Sequence, residues 1–277
     1  MEFLKMQGLG NDFVVVDAYR QELPEDLGSL AQKVCHRQFG IGADGLVLVL
    51  PSEKAAVKMR IFNADGSEPE MCGNGIRCLA KYVYESGLCP RTEFTVETLA
   101  GVLRPELMLE KGRITGVKVD MGEPRLSPDR IPVLFAGDKV VGQPLEVQGE
   151  KYVVTAVSMG NPHCLIFVDD VSQTPVKSLG PLIEVHPLFP AKINVEFVEI
   201  VNKKEVKMRV WERGAGETLA CGTGACATVV ACALNGKTDR EITVHLLGGD
   251  LILEWAPNNH VFMTGPAEAV FEGRYFI

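Results

Sequence analysis

Long hydrophobic runs are scarce in this sequence. Apolar stretches such as Leu46–Leu50 and Val229–Leu234 stop far short of the ~20 residues needed to cross a bilayer. The opening MEFLKMQGLGNDFVVVD has charges at Glu2 and Lys5 and no apolar run long enough for a signal peptide. A soluble, cytoplasmic protein with no membrane partner is expected. Basic clusters are missing as well: 28 Lys+Arg against 36 Asp+Glu leave a net charge of −8. That balance removes the electrostatic footprint of a nucleic-acid binder and favours small-molecule partners. No Cys-x-x-Cys occurs among the eight cysteines, and the five histidines are scattered. The chain therefore does not read as a disulfide framework or a structural zinc module, and reduced thiols are expected.

What is present is a chain of 277 residues, 46% hydrophobic and 23% charged, enough for one large domain or two of ordinary size. β-Branched and aliphatic runs bounded by Gly, Pro, Asn or Asp predict strands at Phe13–Val16, Leu46–Leu50, Val57–Phe62, Tyr152–Val157, Cys164–Val168, Val195–Val201, Val206–Trp211, Ile242–Leu246 and Leu251–Trp255. Helices are fewer. Ile76, Leu79, Ala80 and Val83 share one face of a helix predicted over Gly75–Ser86, which Gly87 stops. A second helix follows Gly222 and is small or apolar nearly all round until Asn235-Gly236, the pattern of a helix enclosed on every side.

Both helices begin after a cysteine, and placing Cys72 on Cys221, 149 residues apart, exposes an internal repeat. Met59, Arg60, Glu68, Cys72, Gly73 and Gly75 meet identical residues at Met208, Arg209, Glu217, Cys221, Gly222 and Gly224. Gly10-Asn11 and Gly160-Asn161 open the two copies, each followed by a strand, a helix-like stretch, two strands, and then the cysteine with its helix. The proline- and glycine-rich stretch after Asp120 is the expected crossing between them.

A cysteine at a helix amino terminus meets unsatisfied N–H groups and the positive end of the helix dipole, so Cys72 and Cys221 are expected to have lowered pKa values and to act as bases or nucleophiles. Cys35, Cys78, Cys89, Cys164, Cys226 and Cys232 lie in apolar settings and read as buried small hydrophobes. A redox pair or a zinc site made from Cys72 and Cys221 ranks below catalysis. Two pseudo-symmetric thiols suit a stereoinversion, one removing a proton from carbon and the other delivering a proton to the opposite face. The helix starts could hold the substrate carboxylate, and no metal is required.

NADGSEPEMCGNGIRC (Asn63 to Cys78) and ERGAGETLACGTGACA (Glu212 to Ala227) resemble the two catalytic segments of the diaminopimelate epimerase family. KMQGLGNDFVVVD, FGIGADGLV, MGNPHCLIFVDD and INVEFVE resemble further segments in the family's order, so the likeness spans the chain. It implies a cofactor-independent conversion of LL- to meso-2,6-diaminoheptanedioate, without pyridoxal phosphate or metal, in the route to lysine and peptidoglycan precursor. Cys72 and Cys221 match the proton-transfer pair, with Cys72 taking the proton of the LL isomer. Backbone N–H groups of Gly73-Asn74 and Gly222-Thr223 match the site of the reacting carboxylate, and Glu212 that of the α-ammonium. Asn63, Asn161, Asn194 and Arg213, with Asn11 nearby, match the residues that bind the distal end. His163 either tunes proton transfer with Glu212 or caps a strand.

The resemblance further implies an α/β (α+β) fold of two pseudo-symmetric domains, each a mixed, mostly antiparallel sheet wrapped around a central helix. Residues 1–119 with 263–277 form the domain carrying Cys72, residues 120–262 the domain carrying Cys221, and the site lies between them. A homodimer is expected from the family. A proline racemase-like enzyme and a thiol- or zinc-binding module are the competing readings. For the aromatic carboxyl terminus EGRYFI the sequence suggests no role.

Overall fold

In a computed structural model, which describes every residue from Met1 to Ile277, the chain divides into two units: Met1–Asp120 with Thr264–Ile277, and Met121–Met263. The first begins with a hairpin of β1 (Glu2–Gly8) and β2 (Asn11–Asp17), whose turn residues Leu9 and Gly10 have φ of 57° and 84°. Positive φ at both turn positions matches the twist of the strands, and glycine adopts it without steric cost. The turn delivers Asn11 to the first position of β2. After α1 (Leu27–Cys35) come β3 (Gly45–Leu50) and β4 (Val57–Asn63), then α2 (Gly73–Glu85), β5 (Val96–Thr98), β6 (Gly101–Leu103), and a hairpin of β7 (Glu106–Glu110) and β8 (Arg113–Asp120).

The second unit repeats this plan. β9 (Gln143–Val147), β10 (Glu150–Ser158) and β11 (Pro162–Val168) precede α3 (Val176–Glu184), β12 (Asn194–Asn202), β13 (Glu205–Glu212) and β14 (Gly216–Thr218). Then follow α4 (Gly222–Leu234), β15 (Glu241–Leu246), β16 (Gly249–Trp255) and β17 (Val261–Gly265). β2 pairs parallel with β3, which pairs antiparallel with β4; β11, β12 and β13 are related in the same way. A parallel pair needs a crossover, and α1 and α3 supply it. Each sheet is mixed and mostly antiparallel, in the order β18-β1-β2-β3-β4-β5-β6 in the first unit, where β18 is Glu268–Arg274, and β17-β16-β15-β13-β12-β11-β10-β9 in the second.

Each sheet wraps a helix. α2 lies against β1, β2, β3, β4 and β8, and α4 against β10, β11, β12, β15 and β16. The apolar face expected from Ile76, Leu79, Ala80 and Val83 is buried, and α4 is buried continuously from Gly224 to Cys232. Enclosure also takes in cations on α2. Arg77 is fully buried and donates through Nε to the Pro266 carbonyl at 3.1 Å, and Lys81 meets Glu268 at 3.3 Å. All nine predicted strands are present; the sequence reading does not include β1, β7, β8, β9, β17 and β18, nor the short β5, β6 and β14, whose three residues leave no periodic signal. The carboxyl terminus acquires a role: β18 pairs antiparallel with β1, the Tyr275 amide donates to the Met1 carbonyl at 2.8 Å, and Tyr275 packs on the core beside α1.

A charged network braces the β1–β2 hairpin. Lys5, buried in β1, donates to the Gly42 carbonyl and pairs with Asp12 at 2.6 Å, while Arg37 meets Asp12 at 2.9 Å and Asp44 at 2.7 Å. Burial opposes ionisation of Asp12, but hydrogen bonds from Arg37 and Lys5 and the charge of Lys5 outweigh it and hold the carboxyl down at about 2, against an ordinary 3.8. A carboxyl with a depressed pKa adds stability above its unfolded value, and that contribution is lost as pH falls through the folded value. Urea unfolding should therefore show stability declining as pH drops from 3.8 to about 2, and Asp12→Asn should flatten part of that decline. An unchanged slope in the variant would remove Asp12 as its source.

Candidate active site

The same local construction leads to each cysteine. Arg60 on β4 holds Glu68 through two bonds of 2.7 and 2.8 Å. Arg209 on β13 holds Glu217 with Nε at 2.8 Å and a second nitrogen at 2.6 Å. Charge-assisted guanidinium–carboxylate bonds are directional, so each pair fixes the segment four residues before its cysteine to the preceding strand. These residues were visible as repeat identities, but nothing in the sequence assigned them a task. Both cysteines are in extended conformation at the N-cap position of the helix that follows, and the Cys72 side chain accepts a capping bond there.

In the first unit the Cys72 sulfur accepts from the Gly75 amide at 3.5 Å and lies 3.9 Å from the Asn11 Oδ1. Asn74 Nδ2 donates to the same oxygen at 3.0 Å. Asn11 is oriented from its other end, where Nδ2 donates to Asp44 Oδ2 at 2.7 Å. Asp44 thus sets which atom of Asn11 faces the sulfur. Asn74 is buried, with Oδ1 lacking a hydrogen-bond partner, and Gly73 begins the helix. Asn63 stands apart from this group at the exposed end of β4, where Nδ2 donates to Ser67 Oγ at 2.9 Å.

The second unit gathers more polar groups. The Cys221 sulfur lies 3.6 Å from Thr223 Oγ1, which accepts from Asn161 Nδ2 at 3.2 Å, and Gly222 begins the helix. Asn161 Oδ1 faces His163 Nε2 at 3.0 Å, and His163 Nδ1 lies 2.6 Å from Glu196 Oε1. His163 is therefore a buried member of a polar chain that ends at the cysteine. Asn194, beside His163 in the parallel register, donates to the Pro162 carbonyl at 2.8 Å and accepts from the Arg213 amide at 2.9 Å. The Arg213 side chain is exposed and donates to the Ala191 carbonyl at 2.9 Å, while Glu212 accepts from the Thr218 hydroxyl. The predicted residues thus form one cluster per unit, with Asn63 peripheral in the first and the Arg213 side chain turned to the Ala191 carbonyl in the second.

One expectation is corrected. The Cys221 thiol is pushed well above its ordinary 9.0, first by burial and then by the charges of Glu212 and Glu196, against which the Thr223 hydroxyl and the Gly224 amide act only in part. A helix start lowers a thiol's pKa where water reaches it; here enclosure wins, and Cys221 rests as a thiol. The six other cysteines are buried, as expected. Glu196 was missed, although a glutamate at the centre of the apolar run INVEFVE, on a strand buried through Val198, was the available signal. His, Cys, Asp and Glu side chains form no group of three or more placed to hold a metal ion.

Comparison with known proteins bears on this geometry. The diaminopimelate epimerase family model matches residues 3–127 and 155–270. The chain is 61% identical to the diaminopimelate epimerase of Moorella thermoacetica over 99% of both chains, and 59% identical to that of Pelotomaculum thermopropionicum over the same shares. Among solved structures, a phenazine biosynthesis protein of the PhzF family from Bacillus anthracis matches with a TM-score of 0.72 at 20% identity, covering 100% of this chain and 98% of that one. A hydroxyproline epimerase from Agrobacterium vitis matches with a TM-score of 0.68 at 17% identity, covering 99% and 91%. At those identities the two structures establish the fold alone. The length and level of the sequence matches establish more: the chain belongs to the diaminopimelate epimerase family.

Proposed function

We propose that the chain epimerises LL-2,6-diaminoheptanedioate to the meso isomer by a two-base proton transfer, with Cys72 and Cys221 serving opposite faces of one α-carbon. What supports this most is the duplicated arrangement in which a cysteine caps an enclosed helix beside an asparagine-anchored polar chain, in a chain 61% identical to a diaminopimelate epimerase. In the LL-to-meso direction the Cys72 thiolate takes the α-proton, and the C–H electron pair moves toward the α-carboxylate. The amides of Gly73, Asn74, Gly222 and Thr223 meet the charge that develops there. The Cys221 thiol then gives its proton to the opposite face and becomes the thiolate, and the reverse reaction exchanges the roles. A thiol held protonated by burial suits that donor role.

Glu212 binds the α-ammonium, while Asn11, Asn63, Asn161, Asn194 and Arg213 take the distal carboxylate and ammonium. A substrate without the distal group leaves these polar side chains unsatisfied, which is the basis of selectivity against simple amino acids. The enzyme acts as a cytoplasmic homodimer in the diaminopimelate route to lysine. Proton NMR in D2O with reduced, metal-free protein and the LL isomer, without pyridoxal phosphate, tests the reaction. The α-proton signal should disappear as meso product accumulates, and proline should be inert. Exchange into proline but not diaminopimelate would move the assignment to a sister racemase.

A further inference from the structure

Glu196 is a carboxyl group enclosed in the core of the second unit, at 0% exposure, and the fold does not require it there. Its repeat counterpart, 149 residues earlier, is Val47. The registers agree, since Val47 stands opposite Ile61 and Glu196 opposite Val210. His163 has an apolar counterpart too: His163 pairs with Asn194 across a parallel ladder as Phe13 pairs with Gly45. Where the Cys72 unit buries Phe13 and Val47, the Cys221 unit buries an imidazole and a carboxyl 2.6 Å apart. Replacing buried ionisable pairs with apolar residues is often neutral or stabilising, so stability alone does not account for the pair.

The surrounding donors and acceptors define what the pair does. Asn161 Nδ2 is engaged by Thr223 Oγ1, so Asn161 presents Oδ1 to His163 and Nε2 must carry a hydrogen. Nδ1 and Glu196 Oε1 then hold one further proton between them, either as imidazolium and carboxylate or as neutral imidazole and acid, and the pair has no net charge in either form. With that tautomer fixed, N–H groups run in one direction, His163 to Asn161 and Asn161 to Thr223, whose hydroxyl lies 3.6 Å from the Cys221 sulfur and can donate to a thiolate or accept from a thiol there. Glu196 also lies near the sulfur across Gly224. A Cβ at Gly224 would lie 2.6 Å from Glu196 Oε1 and 3.3 Å from the Cys221 sulfur, so carboxyl and thiol flank the same glycine. The other ionisable groups acting with Glu196 are Glu212 and Cys164. Its Oε2 is buried without a hydrogen-bond partner, which penalises an ionised carboxylate held alone.

We propose that Glu196 is a positioning residue for proton transfer at Cys221, locking His163 in the tautomer that aims the Asn161–Thr223 donor chain at the sulfur while keeping the pair electrically neutral beside it. This rests on the reading of Cys221 as one of the two bases. Glu196→Gln can still donate an N–H to Nδ1, so it holds the ring from that side, whereas Glu196→Val, which copies the first unit, leaves Nδ1 without a partner and Asn161 as the ring's remaining anchor.

The test compares these variants with the double variant His163→Phe/Glu196→Val. Expected for Glu196→Val is a loss of roughly 10- to 100-fold in kcat, the scale of a displaced catalytic group, with KM unchanged within about twofold. Glu196→Gln should restore kcat to within about threefold of the parent. The double variant should lose turnover like Glu196→Val yet melt no lower than the parent, because Phe and Val fill equivalent places in the first unit. An exchange-protected Nε2–H imidazole resonance should appear in the parent and Glu196→Gln and be absent from Glu196→Val. Parent-like kcat in Glu196→Val or in the double variant overturns the proposal, as does a change confined to KM. Retained epimerisation in Cys221→Ala would instead overturn the base reading, and the imidazole resonance reports on the pair independently of that outcome.

Discussion

Cys72→Ala and Cys221→Ala are each expected to abolish epimerisation, because inversion needs a proton removed from one face and another delivered to the opposite face. A positioned acid or base contributes roughly 10²–10⁴-fold, and each thiol serves as base in one direction and acid in the other. Loss of either should therefore remove that factor from both directions, with little change in folding. Isotope exchange separates the two groups. In D2O, Cys221→Ala retains the base for the LL isomer, so the LL α-proton should still wash out without meso product, while Cys72→Ala should exchange only at the D centre of the meso isomer. Proton NMR of each isomer with each variant gives four outcomes. Exchange of both isomers by either variant, or net inversion by either, would defeat the two-base assignment.

The second large effect is expected at Gly224. Its counterpart in the first unit is Gly75, yet the two glycines are required for different reasons. A Cβ at Gly75 would meet Ile61 Cδ1 at 2.9 Å and Met59 Cε at 3.3 Å, both far ends of flexible side chains. A Cβ at Gly224 would meet Glu196 Oε1 at 2.6 Å and the Cys221 Cβ and sulfur at 3.3 Å. That carboxyl cannot retreat without breaking its bond to His163. Gly75→Ala should thus cost about 1 kcal/mol and leave turnover within a few-fold, whereas Gly224→Ala should cost about 1–3 kcal/mol from overpacking. The latter should also lower kcat about 100-fold by moving the sulfur's surroundings. Urea melts and steady-state rates of both variants decide the matter. Equal activities would mean that the Glu196 side chain is mobile enough to yield.

Much of this was legible in the chain itself. The nine strands could be read because Val, Ile, Leu and Phe cluster in runs bounded by turn residues, and α4 because an all-round apolar helix has few alternatives to enclosure. The repeat could be read because Arg60, Glu68 and Cys72 recur unshifted as Arg209, Glu217 and Cys221. Those identities carried the paired-thiol chemistry, and the resemblance carried the substrate. The task of Arg60 and Arg209 was not legible, since spacing of eight residues between a guanidinium and a carboxylate has no meaning until strand and loop are laid side by side.

By itself, then, the sequence determined the strand-rich duplicated architecture, the two cysteines and the family, all of which follow from local periodicity and identity. Tertiary structure alone decided the protonation of Cys221. Cys221 stands at a helix start like Cys72, and from sequence both would ionise readily. What holds Cys221 as a thiol is its enclosure and the charges of Glu212 and Glu196, which other segments of the chain bring near it. His163 and Glu196, 33 residues apart, became one buried pair only when β11 and β12 were laid in parallel. Desolvation and charge–charge interaction depend on distance through space, and no pattern along the chain encodes that distance.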